Sequence, residues 1–350
     1  MDFLKYIILI FTLVGCAKFD YLYEQSLGQI SLQSKARDNE EMLKNVRIPS
    51  EQKEKIRKIQ ELKKYFYQYW GKKETSIYSQ TTILQNKAVT YLVVASSFSE
   101  IKAEETCFPL MGCFPYLGFF NRAQALNFAK KKEAEGFVTW VRPVYAYSTL
   151  GYFTDTILSS FFHYSDYELA ELIFHELFHT IFFINNQVEL NENLANYFAK
   201  EMLNEYFTKT KQIDYLHMQQ KEELEDKALR KIVVSLTTEL QEHYQSLLPK
   251  TKIESKAILD EFMEKKFKPS ILTTCQEINV APKNCFPMER EWNNASFAAF
   301  LTYEKKSDDL AGLQKKLRLD LKGYYIFLTK KYNEFKDQSE VTDFSTYLFQ

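Results

Sequence analysis

Residues 165–192 read SDYELAELIFHELFHTIFFINNQVELNE, and this stretch predicts two consecutive helices around one buried site. Ser165 and Glu168 have the spacing of a capping box, which favours a helix that begins here. Apolar residues then fill nearly every face of that helix: Leu169, Leu172, Ile173, Phe174, Leu177, Phe178, Ile181, Phe182, Phe183 and Ile184. A helix that is apolar all round is buried. The segment 185–187 predicts a turn, and the second helix is expected from about Glu189 to Phe207.

The first predicted helix contains an H-E-x-x-H motif, His175-Glu176-Leu177-Phe178-His179. The two histidines lie one turn apart on one helix face, so both imidazoles can bind a single zinc ion. Glu176 follows the first ligand, where its carboxylate can take a proton from zinc-bound water as a general base. A dication would also compensate the cost of ionisable residues in so apolar a segment. The alternative is a buried helix with two core histidines, but a chain with 5 histidines seldom matches the motif by chance.

Glu192 is the predicted third zinc ligand, because it lies near the start of the second helix, 13 residues after His179. Three protein ligands leave the fourth position of a tetrahedral zinc ion open for water. Glu189 is the alternative ligand; we prefer Glu192, which is one turn further into the helix and is preceded by Asn191. Asn196, one turn later, is placed to hydrogen-bond a ligand histidine, although a polar surface residue would have the same spacing.

The first 16 residues predict a targeting segment that is not part of the fold. An apolar run from Tyr6 to Val14 follows Lys5 and is too short for a comfortable membrane span. It ends in Leu13-Val14-Gly15-Cys16, which resembles the bacterial lipobox, in which the cysteine is acylated and becomes the new N-terminus. We therefore expect lipidation at Cys16 and a lipid-anchored protein of the bacterial cell envelope, on its periplasmic or surface side. An uncleaved signal anchor and an ordinary secretory signal are the alternatives.

Four further cysteines lie in two pairs that are each close in sequence, and export permits disulfides. Local pairing is the simplest of three possible connectivities and predicts Cys107–Cys113 and Cys275–Cys285. Four buried, reduced cysteines are the alternative. Neither pairing leaves a spare thiol, which disfavours a catalytic cysteine.

Helix is predicted for residues 21–33, 49–69, 121–135, 211–248, 255–267 and from 289 to the end, with strands at 89–97 and 137–144. The fold class is therefore α+β and helix-dominated: a zincin-like core with a small β-sheet and an α-helical C-terminal region. After the signal peptide (1–16) we expect an N-terminal α/β region (17–160), the zinc-site helices (161–210) and the helical region (211–350), with 17–350 one compact unit. The formal net charge of −1 excludes the basic surface of a nucleic-acid-binding protein.

Several motifs resemble those of a family of bacterial envelope lipoproteins named as aminopeptidases, within the wider gluzincin pattern of two histidines and a downstream glutamate. They are Tyr21-Leu22 with Gly28-Gln29, Cys107-Phe108-Pro109 with Gly112-Cys113, the loop AYSTLGYF at 146–153, Ile173–Leu177, Asn191-Glu192, Asn293-Asn294-Ala295 and Thr302-Tyr303. The chain departs from the family at Leu117, Phe178 and Thr180, but the ligands and the base are intact.

The resemblance implies a membrane-anchored metallopeptidase that binds one Zn²⁺ and hydrolyses peptides, with aminopeptidase activity as its more specific form. Tyrosine hydroxyls commonly stabilise the oxyanion in this chemistry, so Tyr147, which lies in the resembling loop, and then Tyr303 are the candidates. A zinc endopeptidase or other amide hydrolase is one alternative. A non-enzymatic envelope lipoprotein with structural zinc is the other.

Overall fold

The computed structural model describes residues 20–108, 112–146, 154–185, 187–304, 307–336 and 343–349, and it is helix-dominated α+β, as predicted. The helices are α1 (20–34), α2 (Asn39–Lys44), α3 (Ser50–Trp70), α4 (Arg122–Ala134), α5 (Asp166–Ile181), α6 (Val188–Lys209), α7 (Ile213–Leu247), α8 (Lys252–Phe262), α9 (Lys268–Glu277), α10 (Phe286–Glu289), α11 (Asn294–Glu304), α12 (Ser307–Leu317), α13 (Leu321–Lys336) and α14 (Phe344–Phe349). The strands are β1 (Arg37–Asp38), β2 (Gln80–Thr82), β3 (Thr90–Ser96), β4 (Thr106–Phe108), β5 (Gly112–Phe114), β6 (Leu117–Phe119), β7 (Val138–Val144) and β8 (Ile157–Leu158).

Within the described residues these strands form three small sheets. The predicted middle-region sheet is the antiparallel β6-β3-β7, in which Val93 lies between Leu117 and Val141. Strands β4 and β5 form a separate hairpin. The sheet β1-β2-β8 was not predicted, because its strands of two or three residues are too short to show an alternating pattern. In it, β8 pairs in parallel with β2, which brings the chain just before α5 next to the segment that follows α3.

The core around α5 is built largely from aromatic rings. Helix α5 packs between α3 and α6, as its apolar surface predicted. Phe178 of α5 stacks on Phe198 of α6 with ring centroids 4.4 Å apart, and Phe174 contacts Phe66 of α3. Full burial of such a side chain stabilises a fold by roughly 1.5–3 kcal/mol. These rings hold α5 and α6 side by side.

A second core joins α7, α8, α9 and α11 in the C-terminal region. Helix α11 also packs on the strands β3 and β7 and on α6, so it connects this region to the helices that follow α5. The predicted helix end at Phe267 is wrong: a π-helical turn, Met263–Phe267, continues directly into α9. Pro269 does not stop the chain because it lies in the first turn of α9, where a missing N–H is tolerated.

Both predicted disulfides are formed. The Cα atoms of Cys107 and Cys113 are 3.9 Å apart and close the β4–β5 hairpin, where the two residues are register partners. Those of Cys275 and Cys285 are 6.2 Å apart, and both side chains are buried in the second core. No helix in the described part of the chain combines the length and the apolar character that a membrane span requires.

Candidate metal centre

The start of α5 has the predicted capping box. Ser165 Oγ accepts a hydrogen bond from the backbone N–H of Glu168 (3.2 Å), and the Glu168 carboxylate accepts one from the backbone N–H of Ser165 (2.8 Å). The helix then places His175 and His179 one turn apart. It ends at Ile181, three residues before the apolar run does, because Phe182 already has an extended backbone.

Asn191 fixes the connection between α5 and α6. Its side chain accepts a hydrogen bond from the Ile184 N–H (2.9 Å) and donates one to the Ile184 carbonyl (2.7 Å). The next asparagine on the helix, Asn193, donates to the Thr302 carbonyl of α11 at 3.4 Å. Glu192 lies between these two anchored residues, so its side chain is held against the histidines of α5.

The side chains of His175, His179 and Glu192 meet at one point. The two Nε2 atoms are 3.2 Å apart, and Glu192 carboxylate oxygens lie 3.4 Å from His175 Nε2 and 3.7 Å from His179 Nε2. Glu189, the alternative ligand, does not belong to this group of mutually close ligand atoms. The three side chains are the ones that the sequence nominated as ligands.

The donor set fits a zinc ion. Zinc bonds of 2.0–2.1 Å in tetrahedral geometry separate neighbouring ligand atoms by roughly 3.3 Å, which is close to the spacings observed. The other such group among the described residues is Glu105 with Cys107 and Cys113, and it offers no thiolate because these cysteines are disulfide-bonded.

Without a metal ion, the charges of the cluster compensate one another. Burial alone would lower the pKa of His175, but a hydrogen bond to Glu192 and the charges of Glu192 and Glu176 raise it to about 9. Burial would raise the pKa of Glu192, but the hydrogen bond from His175 and the charges of His179, His175 and Arg142 lower it. A proton shared between an imidazole and a carboxylate thus takes the place of a cation.

Glu176 and His179 are the uncharged members of the cluster. Burial raises the pKa of Glu176 to about 7, against the charge of His175 and with the charges of Glu192 and Asp155. Burial and then the charge of His175 lower the pKa of His179 to about 4. The buried Nδ1 atom of His179 has no hydrogen-bond partner in the described structure. Glu176 is 7% exposed, so its carboxylate is nearly excluded from bulk water.

The remaining nominated residues have different outcomes. The side chain of Asn196 forms a hydrogen bond with His175. Tyr147 and Cys16 lie outside the described residues. Tyr303 belongs to α11, immediately after the Thr302 carbonyl that Asn193 contacts, and its side chain is outside the described part.

Three residues that the sequence did not nominate act on the site through their position. The charge of Arg142, on β7, lowers the pKa of Glu192, and the charge of Asp155 raises the pKa of Glu176. The charge of Glu176 in turn acts on Tyr78, a buried tyrosine that precedes β2. Each lies more than 20 positions from the H-E-x-x-H motif, and none has a local pattern that marks it.

Comparison with known proteins yields one family. Residues 20–341 match the model of a protein family described as “Putative aminopeptidase”. The match extends from α1 through α13 and includes the whole cluster. No curated protein and no solved structure matches the chain.

Proposed function

This chain belongs to that aminopeptidase family, and from this premise we propose that it is a zinc-dependent peptidase that releases N-terminal residues from peptides. The observation that carries the proposal is the convergence of His175, His179 and Glu192, with ligand atoms within 4.8 Å of one another. Glu176 follows the first of these residues on the same helix. We further propose that α5 and α6 form a zincin-like catalytic core.

His175, His179 and Glu192 would hold the ion, and Glu176 would be the general base. Zinc, when bound there, supplies a positive charge that polarises the scissile carbonyl and lowers the pKa of water. Glu176 takes a proton from the attacking water and passes it to the amine as the carbon–nitrogen bond breaks. A carboxylate whose burial holds its pKa near 7 is suited to both transfers at neutral pH.

Anchoring is a separate part of the proposal. An acylated Cys16 would hold the enzyme at the surface of a membrane of the bacterial cell envelope, where peptides are its substrates. Residue 20 begins α1, so only a short segment would separate the lipid from the fold. Tyr147 and Tyr303 remain the proposed oxyanion donors.

Metal content tests the ligand assignment. We expect the purified full-length protein to contain about one zinc ion per chain, and His179→Ala and Glu192→Ala to lose it. Glu189→Gln is the matched control, since Glu189 lies on the same helix outside the ligand group, and it should keep full zinc. Elemental analysis after dialysis against a weak chelator measures the content. Full zinc in Glu192→Ala, or its loss only in Glu189→Gln, would assign the third ligand wrongly.

Activity on a panel of aminoacyl amides and N-acetylated peptides tests the reaction. An aminopeptidase should cleave the free amines and leave the blocked peptides intact. Glu176→Gln should keep zinc and the fold but lose most of the hydrolysis, because it removes the base and not a ligand. Equal cleavage of blocked peptides would indicate an endopeptidase, and a fully active Glu176→Gln would exclude Glu176 as the base.

A further inference from the structure

Tyr78 is the most constrained tyrosine near the site. Its backbone has a φ of +56°, in the left-handed region that aromatic residues seldom adopt. Three features hold it there: its N–H donates to the Asp155 carbonyl (2.7 Å), its carbonyl accepts from the Asn39 side chain (2.9 Å), and its ring packs edge-on against Phe161. The surrounding structure therefore determines where the ring points.

The hydroxyl of Tyr78 is buried, yet it has no hydrogen-bond partner in the described structure. The residue is 1% exposed. Buried tyrosine hydroxyls usually have a partner, because the donor loses its hydrogen bonds to water. A strained backbone that delivers an unpaired donor to a buried position is costly, which favours a role at a functional site over a role in packing.

Glu176 lies where that donor is aimed. Glu176 and Thr180 share one face of α5, and Tyr67 reaches this face with a hydrogen bond between its hydroxyl and Thr180 Oγ1 (3.3 Å). Burial, followed by the charges of Glu176, Asp155 and Tyr67, raises the pKa of Tyr78, which places its hydroxyl beside the same face. The Glu176 carboxylate itself accepts no hydrogen bond from a side chain of the described residues.

We propose that Tyr78 is a positioning residue for Glu176, whose carboxylate accepts a hydrogen bond from the Tyr78 hydroxyl, directly or through one water molecule. One carboxylate oxygen is then held, and the other stays directed at the water that Glu176 deprotonates. Tyr78 keeps its proton throughout. The catalytic part of this inference rests on the proposed function; the hydrogen bond itself does not.

Infrared difference spectroscopy tests the hydrogen bond without any substrate. The spectrum of wild type minus Glu176→Gln isolates the carboxylate band of Glu176, in the zinc-loaded full-length protein at fixed pH. Tyr78→Phe removes only the hydroxyl, and we expect it to shift that band. Tyr67→Phe is the matched control, because the Tyr67 hydroxyl is engaged with Thr75 and Thr180, and it should leave the band in place. An unshifted band in Tyr78→Phe, or a shift that persists in the Glu176→Gln background, overturns the proposal.

Stability and kinetics separate positioning from packing. Tyr78→Phe should unfold at a temperature no lower than wild type, since the hydroxyl has no partner to lose, and should keep full zinc. With a substrate that the wild type cleaves, kcat should fall about tenfold, the value of one hydrogen bond, with KM within about twofold. Unchanged kcat, or a loss of stability in place of a loss of kcat, overturns the assignment. A wild type that cleaves no substrate would instead refute the proposed function, and the infrared result would still decide the hydrogen bond.

Discussion

Replacing Asn191 with alanine should destabilise the fold and weaken the metal centre together. The Asn191 side chain is 2% exposed and makes two hydrogen bonds, to the N–H and the carbonyl of Ile184. Leaving a buried donor or acceptor unpaired costs about 1–3 kcal/mol for each group. Alanine returns roughly 0.5 kcal/mol through its higher helix propensity. We therefore expect the free energy of unfolding to fall by about 2–4 kcal/mol.

The zinc centre should respond because Glu192 follows Asn191 directly. Loss of a group that orients a ligand typically lowers metal affinity by about 10- to 100-fold, and we expect a decrease in this range. Urea unfolding of the metal-free protein, followed by circular dichroism, measures the stability; a competing chelator measures the zinc affinity.

Asn185→Ala provides the control, since Asn185 lies in the same connection and is exposed. Its free energy of unfolding should stay within about 0.5 kcal/mol of the wild type. If Asn191→Ala also stays within that margin, the two hydrogen bonds to Ile184 do not stabilise the connection and the reasoning is refuted.

Three further substitutions test the core, the second disulfide and the anchor. Phe198→Ala removes the ring that stacks on Phe178, so the free energy of unfolding in thermal denaturation should fall by about 3–5 kcal/mol; a change below 1 kcal/mol, roughly, would contradict this packing. The double variant Cys275→Ser and Cys285→Ser opens a loop with a sequence separation of 10, and guanidinium unfolding should show a loss of about 3 kcal/mol, whereas wild-type stability would be unexpected. Cys16→Ser should lose the acyl mass by mass spectrometry and move from the detergent phase to the aqueous phase; partitioning like that of the wild type would rule out Cys16 as the anchor.

Local patterns were sufficient for the helices of the site and for the disulfides. The capping box at Ser165 depends on residues three positions apart, and the single helix face of His175 and His179 depends on residues four apart. Cys107 and Cys113 are near enough in the chain that a hairpin suffices to join them. In contrast, the pairing of β8 with β2 joins residues 76 positions apart, Thr81 with Ile157, and a two-residue strand carries no periodic signal.

The sequence by itself determined which side chains meet at the centre, because helix periodicity and capping act within one or two turns. Only the tertiary structure decided what surrounds them. The Asn191 hydrogen bonds that hold Glu192, and the charges of Arg142 and Asp155, depend on how separate elements pack. The orientation of Tyr78 depends on contacts with Asn39, Asp155 and Phe161. Hydrogen bonds and electrostatic interactions act over a few ångströms in space at any separation along the chain, so no local pattern of residues specifies them.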